Sequence, residues 1–141
     1  SVSLPTTTIE HPAEAFAYLF SEVCDGNSGA PRDDGVYYRG DRLVETMAFR
    51  VGTPLQDLTL EVLTSRKMLG EHWAVVHKLP PIRMGDYSPR DEPYTFQTPP
   101  NDIPKWPGSF AVRGKYRSRI IFRAANHAES LLERAVEVEI R

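Results

Sequence analysis

The side chains able to do chemistry are few in this chain, and their spacing works against them. Four histidines occur, His11, His72, His77 and His127. His72 and His77 are separated by an odd interval, which sends them to opposite faces of a strand, where they cannot share one metal ion. Glu71-His72 is not part of a His-Glu-x-x-His zinc signature. The single cysteine, Cys24, stands before Asp25-Gly26 in a turn-forming stretch, and Glu22 and Asp25 oppose the thiolate a nucleophile needs. Asp86, Asp91 and Glu92, with Arg90 among them, are of the right type for general acid–base work. Flanking prolines put them in an exposed loop, without the burial that tunes a carboxyl group. Arg39-Gly40-Asp41 is a tripeptide that integrins can read, but between Tyr38 and Arg42 it is more simply a hairpin turn. There is neither a Gly-x-Ser-x-Gly elbow nor a glycine loop for phosphate. The residues point to a protein without a catalytic group, metal or cofactor.

The elements that would position these groups are short. Twelve prolines and nine glycines are scattered along the chain and cut it into brief segments, as in an all-β sandwich or barrel. Val2 to Glu10 reads as a first strand. Glu14 to Val23 fits a helix through Phe16, Leu19, Phe20 and Val23, and a strand through Phe16, Tyr18 and Phe20. Cys24 to Gly35 is a loop, Val36 to Tyr38 a short strand, and Arg42 to Val51 a longer one carrying Leu43, Met47, Phe49 and Val51 among polar residues. Leu58 to Thr64 alternates, Trp73 to Val76 is apolar, Ser109 to Phe122 is another strand, and Arg123 to Glu129 a polar corner. Val136 to Ile140 closes with strict alternation, one dry face and one wet, as an antiparallel sandwich requires. The inward set Phe49, Val51, Leu58, Leu60, Val62, Phe110, Val136, Val138 and Ile140 is either a packed core or the wall of a space where two sheets part to admit an apolar ligand. Pattern alone leaves both open.

Bulk properties set the class. The 141 residues suit one domain, 1–141, with one core. A net charge of −2, from 17 basic and 19 acidic residues, provides no polycationic face for nucleic acid. No apolar run approaches the length of a membrane span, no signal peptide opens the chain, and a lone cysteine fits a reducing compartment. A cytoplasmic domain is expected.

The stretch Gly85 to Pro99 (Gly-Asp-Tyr-Ser-Pro-Arg-Asp-Glu-Pro-Tyr-Thr-Phe-Gln-Thr-Pro) stands apart, with three prolines and three aromatics. Prolines exclude a helix and disfavour an interior strand except over Tyr94 to Thr98. Met84 to Pro99, followed by Ile103-Pro104-Lys105 and Ala111 to Tyr116, resembles the Rho GDP-dissociation inhibitors. In that family a Gly-Ser-Tyr-Gly-Pro-Arg…Tyr-x-Phe-x-Thr-Pro segment leads through Ala-Pro-Lys into Ala-Arg-Gly-Ser-Tyr. Gly85, Tyr87, Pro89, Arg90, Tyr94, Phe96, Thr98, Pro99, Pro104, Lys105, Arg113, Gly114, Tyr116 and Phe122 match in order, and Phe49-Arg50-Val51 looks like the family's Phe-Arg-Val strand.

The resemblance implies an immunoglobulin-like antiparallel β sandwich and makes Glu14 to Phe20 a strand. It implies a partner, a prenylated Rho-family GTPase, whose isoprenoid lipid is held between the sheets so that the GTPase leaves the membrane and stays soluble and GDP-bound. Phe49, Val51, Leu60, Val62 and Phe110 are the expected prenyl-pocket residues; Tyr87, Arg90 and Tyr94 the expected partner-facing rim. Several features depart from the family. The chain begins almost at the first strand, without room for the family's regulatory arm, as expected either of a fragment or of a lipid-binding relative that does not block nucleotide release by that route. A few extra residues lie near Glu71 to Lys78, the last strand (Leu132 to Ile140) lacks the family's tryptophans, and Ile120 replaces a phosphorylatable serine. The alternative is a closed-core sandwich that binds a protein partner without lipid.

Overall fold

Period-two alternation and frequent turn residues make strands, and strands are what forms. The computed structural model describes residues 15–32, 35–68, 70, 72–103 and 113–141. Among these are ten strands and no α-helix: β1 Phe16–Asp25, β2 Val36–Tyr37, β3 Arg42–Val51, β4 Leu55–Lys67, β5 Trp73–Lys78, β6 Ile82–Tyr87, β7 Arg90–Gln97, β8 Asn101–Asp102, β9 Gly114–Arg123 and β10 Leu132–Ile140. The expected strands at Val2 to Glu10 and over Ser109 to Val112 lie outside the described residues, as does Phe110. No helix there is long and apolar enough to cross a membrane.

The strands form two sheets. One has the order β1-β3-β7, with β8 also paired to β3; the other runs β2-β10-β9-β4-β5, with β6 beside the first half of β4. All pairs are antiparallel except β2 with β10, where Val36 and Tyr37 run parallel to Glu139 and Ile140. The chain is an immunoglobulin-like β sandwich, mixed at this one edge.

The ambiguity over Glu14 to Val23 has a physical cause. β1 is a strand, but its register against β3 slips between Tyr18 and Phe20, leaving Leu19 as an extra residue. The bulge breaks the period of two and creates the helix-like spacing. Phe16 and Tyr18 face inward before it, Ser21 and Val23 after it.

The Gly85 to Pro99 stretch corrects the expectation of a loop. Gly85 to Tyr87 belong to β6 and Arg90 to Gln97 to β7, so only Ser88-Pro89 connects them, crossing from one sheet to the other. Pro93 is accommodated because β7 lies at the sheet edge beside β3 and its register jumps there. Phe49 pairs with Tyr94 and Val51 with Arg90, so Asp91 to Pro93 stand opposite one residue.

The polar turns are tied inward. Asp41, of the Arg-Gly-Asp tripeptide, accepts from the Arg32 guanidinium at 3.0 Å and from the Tyr38 amide at 2.8 Å, with both charges of the pair largely buried. Outside the second sheet, Arg119 meets Glu133 at 2.5 Å and Arg123 meets Glu61 at 3.0 Å. Such solvated pairs contribute at most about 1 kcal/mol each, and they mark that face as wet.

The interior is packed in two separate places. A larger cluster contains Phe16, Met47, Phe49, Val51, Leu55, Leu58, Leu60, Met84, Ile120 and Phe122; a smaller one joins Leu43, Ile103, Tyr116 and Ile140.

Candidate functional site

Between the two clusters the sheets enclose a cavity of about 520 Å³. The register explains it. Across the second sheet, inward side chains form rows: Leu60, Phe122 and Leu132; then Val62, Ile120 and Arg134; then Thr64, Ser118 and Val136. The first row is large and closes the main core. The third is small, and Thr64 and Ser118 are too short to reach the opposite sheet. Tyr116 and Val138 follow and belong with the smaller cluster. On the facing sheet the wall is Ser21 and Val23 of β1, Leu43 and Glu45 of β3, then Thr98 and Pro99 after β7. Thr98 is held beside Glu45 by two hydrogen bonds, its amide to the Glu45 carbonyl at 2.8 Å and the Glu45 amide to its hydroxyl at 3.0 Å.

The walls are mostly apolar and only partly covered. Leu19, Phe20 and Val136 line the cavity yet keep 41%, 62% and 49% of their surface accessible. An apolar residue on an inward face, as Val136 is, is normally covered by the opposite sheet; here it borders open space, as do Leu19 at the bulge and Phe20 beside it. A few polar groups interrupt them. The Arg134 guanidinium lies over the Tyr18 ring, 4.9 Å from its centroid. Burial raises the Tyr18 phenol pKa, with Glu45 adding to the rise and Ser21 and Arg134 opposing it. Burial likewise raises the Glu45 carboxyl, against a hydrogen bond from the Ser21 hydroxyl. His77 also lines the cavity, whereas His72 precedes β5 and is exposed.

The expected pocket residues divide. Leu60 and Val62 lie on the cavity wall. Phe49 and Val51 do not reach it; they are buried in the larger cluster, Phe49 stacking with Phe16 at 5.2 Å and with Tyr94 at 5.9 Å between centroids. Tyr87, Arg90 and Tyr94 do come together, but away from the cavity. Tyr87 meets Tyr94 edge-on at 4.9 Å and Phe49 at 5.1 Å, and the Arg90 guanidinium sits 3.6 Å from the Tyr94 centroid. Their polar atoms are engaged within the β6–β7 segment: Tyr87 donates to the Met84 carbonyl, Tyr94 to that of Ser88, and Arg90 to those of Glu92 and Pro93. The cluster braces the crossing.

Several wall residues went unnoticed in the sequence. Glu45 stands in phase with Leu43, Met47, Phe49 and Val51, a carboxylate on a dry face. Thr64 and Ser118 likewise continue inward faces with small polar groups, and that phase was the available signal.

Desolvation and then the Glu22 carboxylate push the Cys24 thiol up. Among the described residues no three His, Cys, Asp or Glu side chains cluster as metal ligands.

No protein-family model matches the chain, and no curated protein sequence does. Solved structures match in fold. The C-terminal domain of wzt superposes with a TM-score of 0.57 at 12% identity, over 90% of this chain and 74% of that one. A Niemann-Pick type C2 protein from the Japanese carpenter ant gives 0.58 at 10% identity, over 91% and 94%. The alkylpurine DNA glycosylase AlkC of Pseudomonas fluorescens, bound to DNA containing an abasic site analog, gives 0.53 at 15% identity, over 90% of this chain and 30% of that one. These likenesses define the class: an immunoglobulin-like β sandwich. In this chain the sheets leave an apolar cavity between them.

Proposed function

We propose that this domain binds the prenylated C-terminus of a Rho-family GTPase, the lipid lying in the inter-sheet cavity, and thereby keeps the GTPase soluble and GDP-bound in the cytoplasm. The observation that carries the reading is the cavity itself, apolar, of ligand size, bordered by accessible Leu19, Phe20 and Val136. The ordered match of Gly85 to Phe122 to the Rho GDP-dissociation inhibitors supplies the partner. Burying a prenyl chain yields about 0.8 kcal/mol per CH₂ equivalent, so a twenty-carbon chain gains on the order of 10 kcal/mol gross, and association takes back several. A bilayer offers a similar apolar bath, so contacts with the GTPase must add to the lipid's own. The braced Tyr87–Arg90–Tyr94 face is the proposed second contact.

The test is titration of a fluorescent geranylgeranyl-cysteine methyl ester, with the farnesyl analogue alongside, into the wild type and Ser118→Leu. Leu60 is a poor position for blocking, since it is both wall and core and a larger side chain there would overpack. Ser118 faces open volume, so leucine fills space without strain. Saturable binding by the wild type, weakened about tenfold or more in Ser118→Leu with Tm unchanged or raised, is expected. Absence of saturable binding to the wild type would overturn the lipid reading and leave the protein-interaction module.

A further inference from the structure

Among the described residues, Glu45 is the one acidic side chain on the cavity wall. β3 alternates Leu43, Glu45, Met47, Phe49, Val51, and every other member of that face is buried in one of the two apolar clusters. The Ser21 hydroxyl lies near enough to the Glu45 carboxyl to oppose the rise of its pKa, and no cationic side chain is among the causes of that shift. Thr98 holds the Glu45 backbone through both the amide and the carbonyl, which fixes the strand position from which the side chain projects. A carboxylate held in such a place keeps unused acceptor capacity turned toward the cavity. Arg134 also borders the cavity, but its guanidinium lies over the Tyr18 ring and is exposed, so that water screens its charge.

We infer that Glu45 selects the polar end of the ligand: the cavity takes a long apolar chain whose head donates a hydrogen bond, such as an amide N–H, a hydroxyl or an ammonium group, and refuses one ending in a carboxylate. A donor head meets the open acceptor positions of Glu45 beside Ser21 while its chain lies along Val62, Ile120 and Val136. A carboxylate head would bring a second negative charge into a poorly solvated site, where two neighbouring carboxylates cannot both stay ionised without cost. The inference rests on the reading of the cavity as a lipid site. It extends it by naming a head-group class and the residue that reads it.

The experiment is competition at pH 7.5 against N-phenyl-1-naphthylamine by dodecanol, dodecylamine and dodecanoate, which share one chain and differ in head. It is run on the wild type, Glu45→Gln, Glu45→Leu and Arg134→Ala. Dodecanol and dodecylamine are expected to displace the probe at concentrations at least about tenfold below dodecanoate, and this preference should collapse in both Glu45 variants and persist in Arg134→Ala. Two glutamate variants are used so that one that folds poorly does not decide the result; each is checked by its melting curve. Equal binding of all three, or tighter binding of dodecanoate lost in Arg134→Ala, would overturn head-group selection while leaving the lipid site standing. If no probe or amphiphile binds the wild type, the lipid site falls and this inference with it.

Discussion

At the scale of single residues, Glu45 ties stability to pH. Its carboxyl titrates above the ordinary value of 4.5 because burial disfavours the charged form. A carboxyl whose pKa is higher in the folded than in the unfolded protein loses stability as pH rises between those two values. Its penalty is therefore absent below the unfolded pKa and complete above the folded one. Glu45→Gln removes the charge and keeps the shape, so it should raise Tm at pH 7.5, with the gain closing as pH falls toward 4.5. Melting curves followed by circular dichroism from pH 4 to pH 8 check this; a gain independent of pH would rule out the charge as its cause. Ser118 is the converse case, a residue whose importance is its smallness, and it sets the volume that a ligand would use.

At the scale of elements, the β6–β7 crossing shows how a proline-rich stretch becomes strand. Gly85 has φ of +104° beside the irregular pairing of Leu55 and Leu58 with β6, and no neighbour would touch an added Cβ. Strain alone penalises a side chain there, so Gly85→Ala should cost about 1–2 kcal/mol in urea unfolding. Arg90 caps the far side of the crossing through Tyr94 and two carbonyl groups. Arg90→Ala should lower stability by about 1 kcal/mol and leave the affinity for a prenyl-cysteine ester unchanged, because Arg90 lies away from the cavity. Reduced ester affinity in a folded variant would mean that the crossing and the cavity are coupled. The prolines of this segment suggested a loop, since nothing local announces that Pro93 will fall at an edge-strand bulge.

At the scale of the whole molecule, a sandwich with two packed ends and an open middle should gain stability from whatever fills it. A ligand that binds only the folded state at a hundred times its dissociation constant adds about 2.7 kcal/mol. A geranylgeranyl-cysteine ester should therefore raise Tm in a concentration-dependent way in the wild type and raise that of Ser118→Leu much less at the same concentration; a ligand-independent Tm in both would argue against a filled cavity. The strands from Arg42 to Ile140 were largely legible in the residues, because alternation and turn chemistry act over a few neighbours and depend on no distant partner. The inward faces of β3, β4 and β10 were largely legible for the same reason, whereas that of β9 was not. Which inward residues make core and which make cavity was not, since Phe49 and Leu60 look alike along the chain. That division depends on cross-strand register, which sets Thr64, Ser118 and Val136 in one row opposite Ser21 and Glu45. The bulge at Leu19 also leaves Leu19 and Phe20 bordering open space. Local pattern determined that this chain makes strands with a dry face; only the meeting of two sheets decided where that dryness is left unfilled.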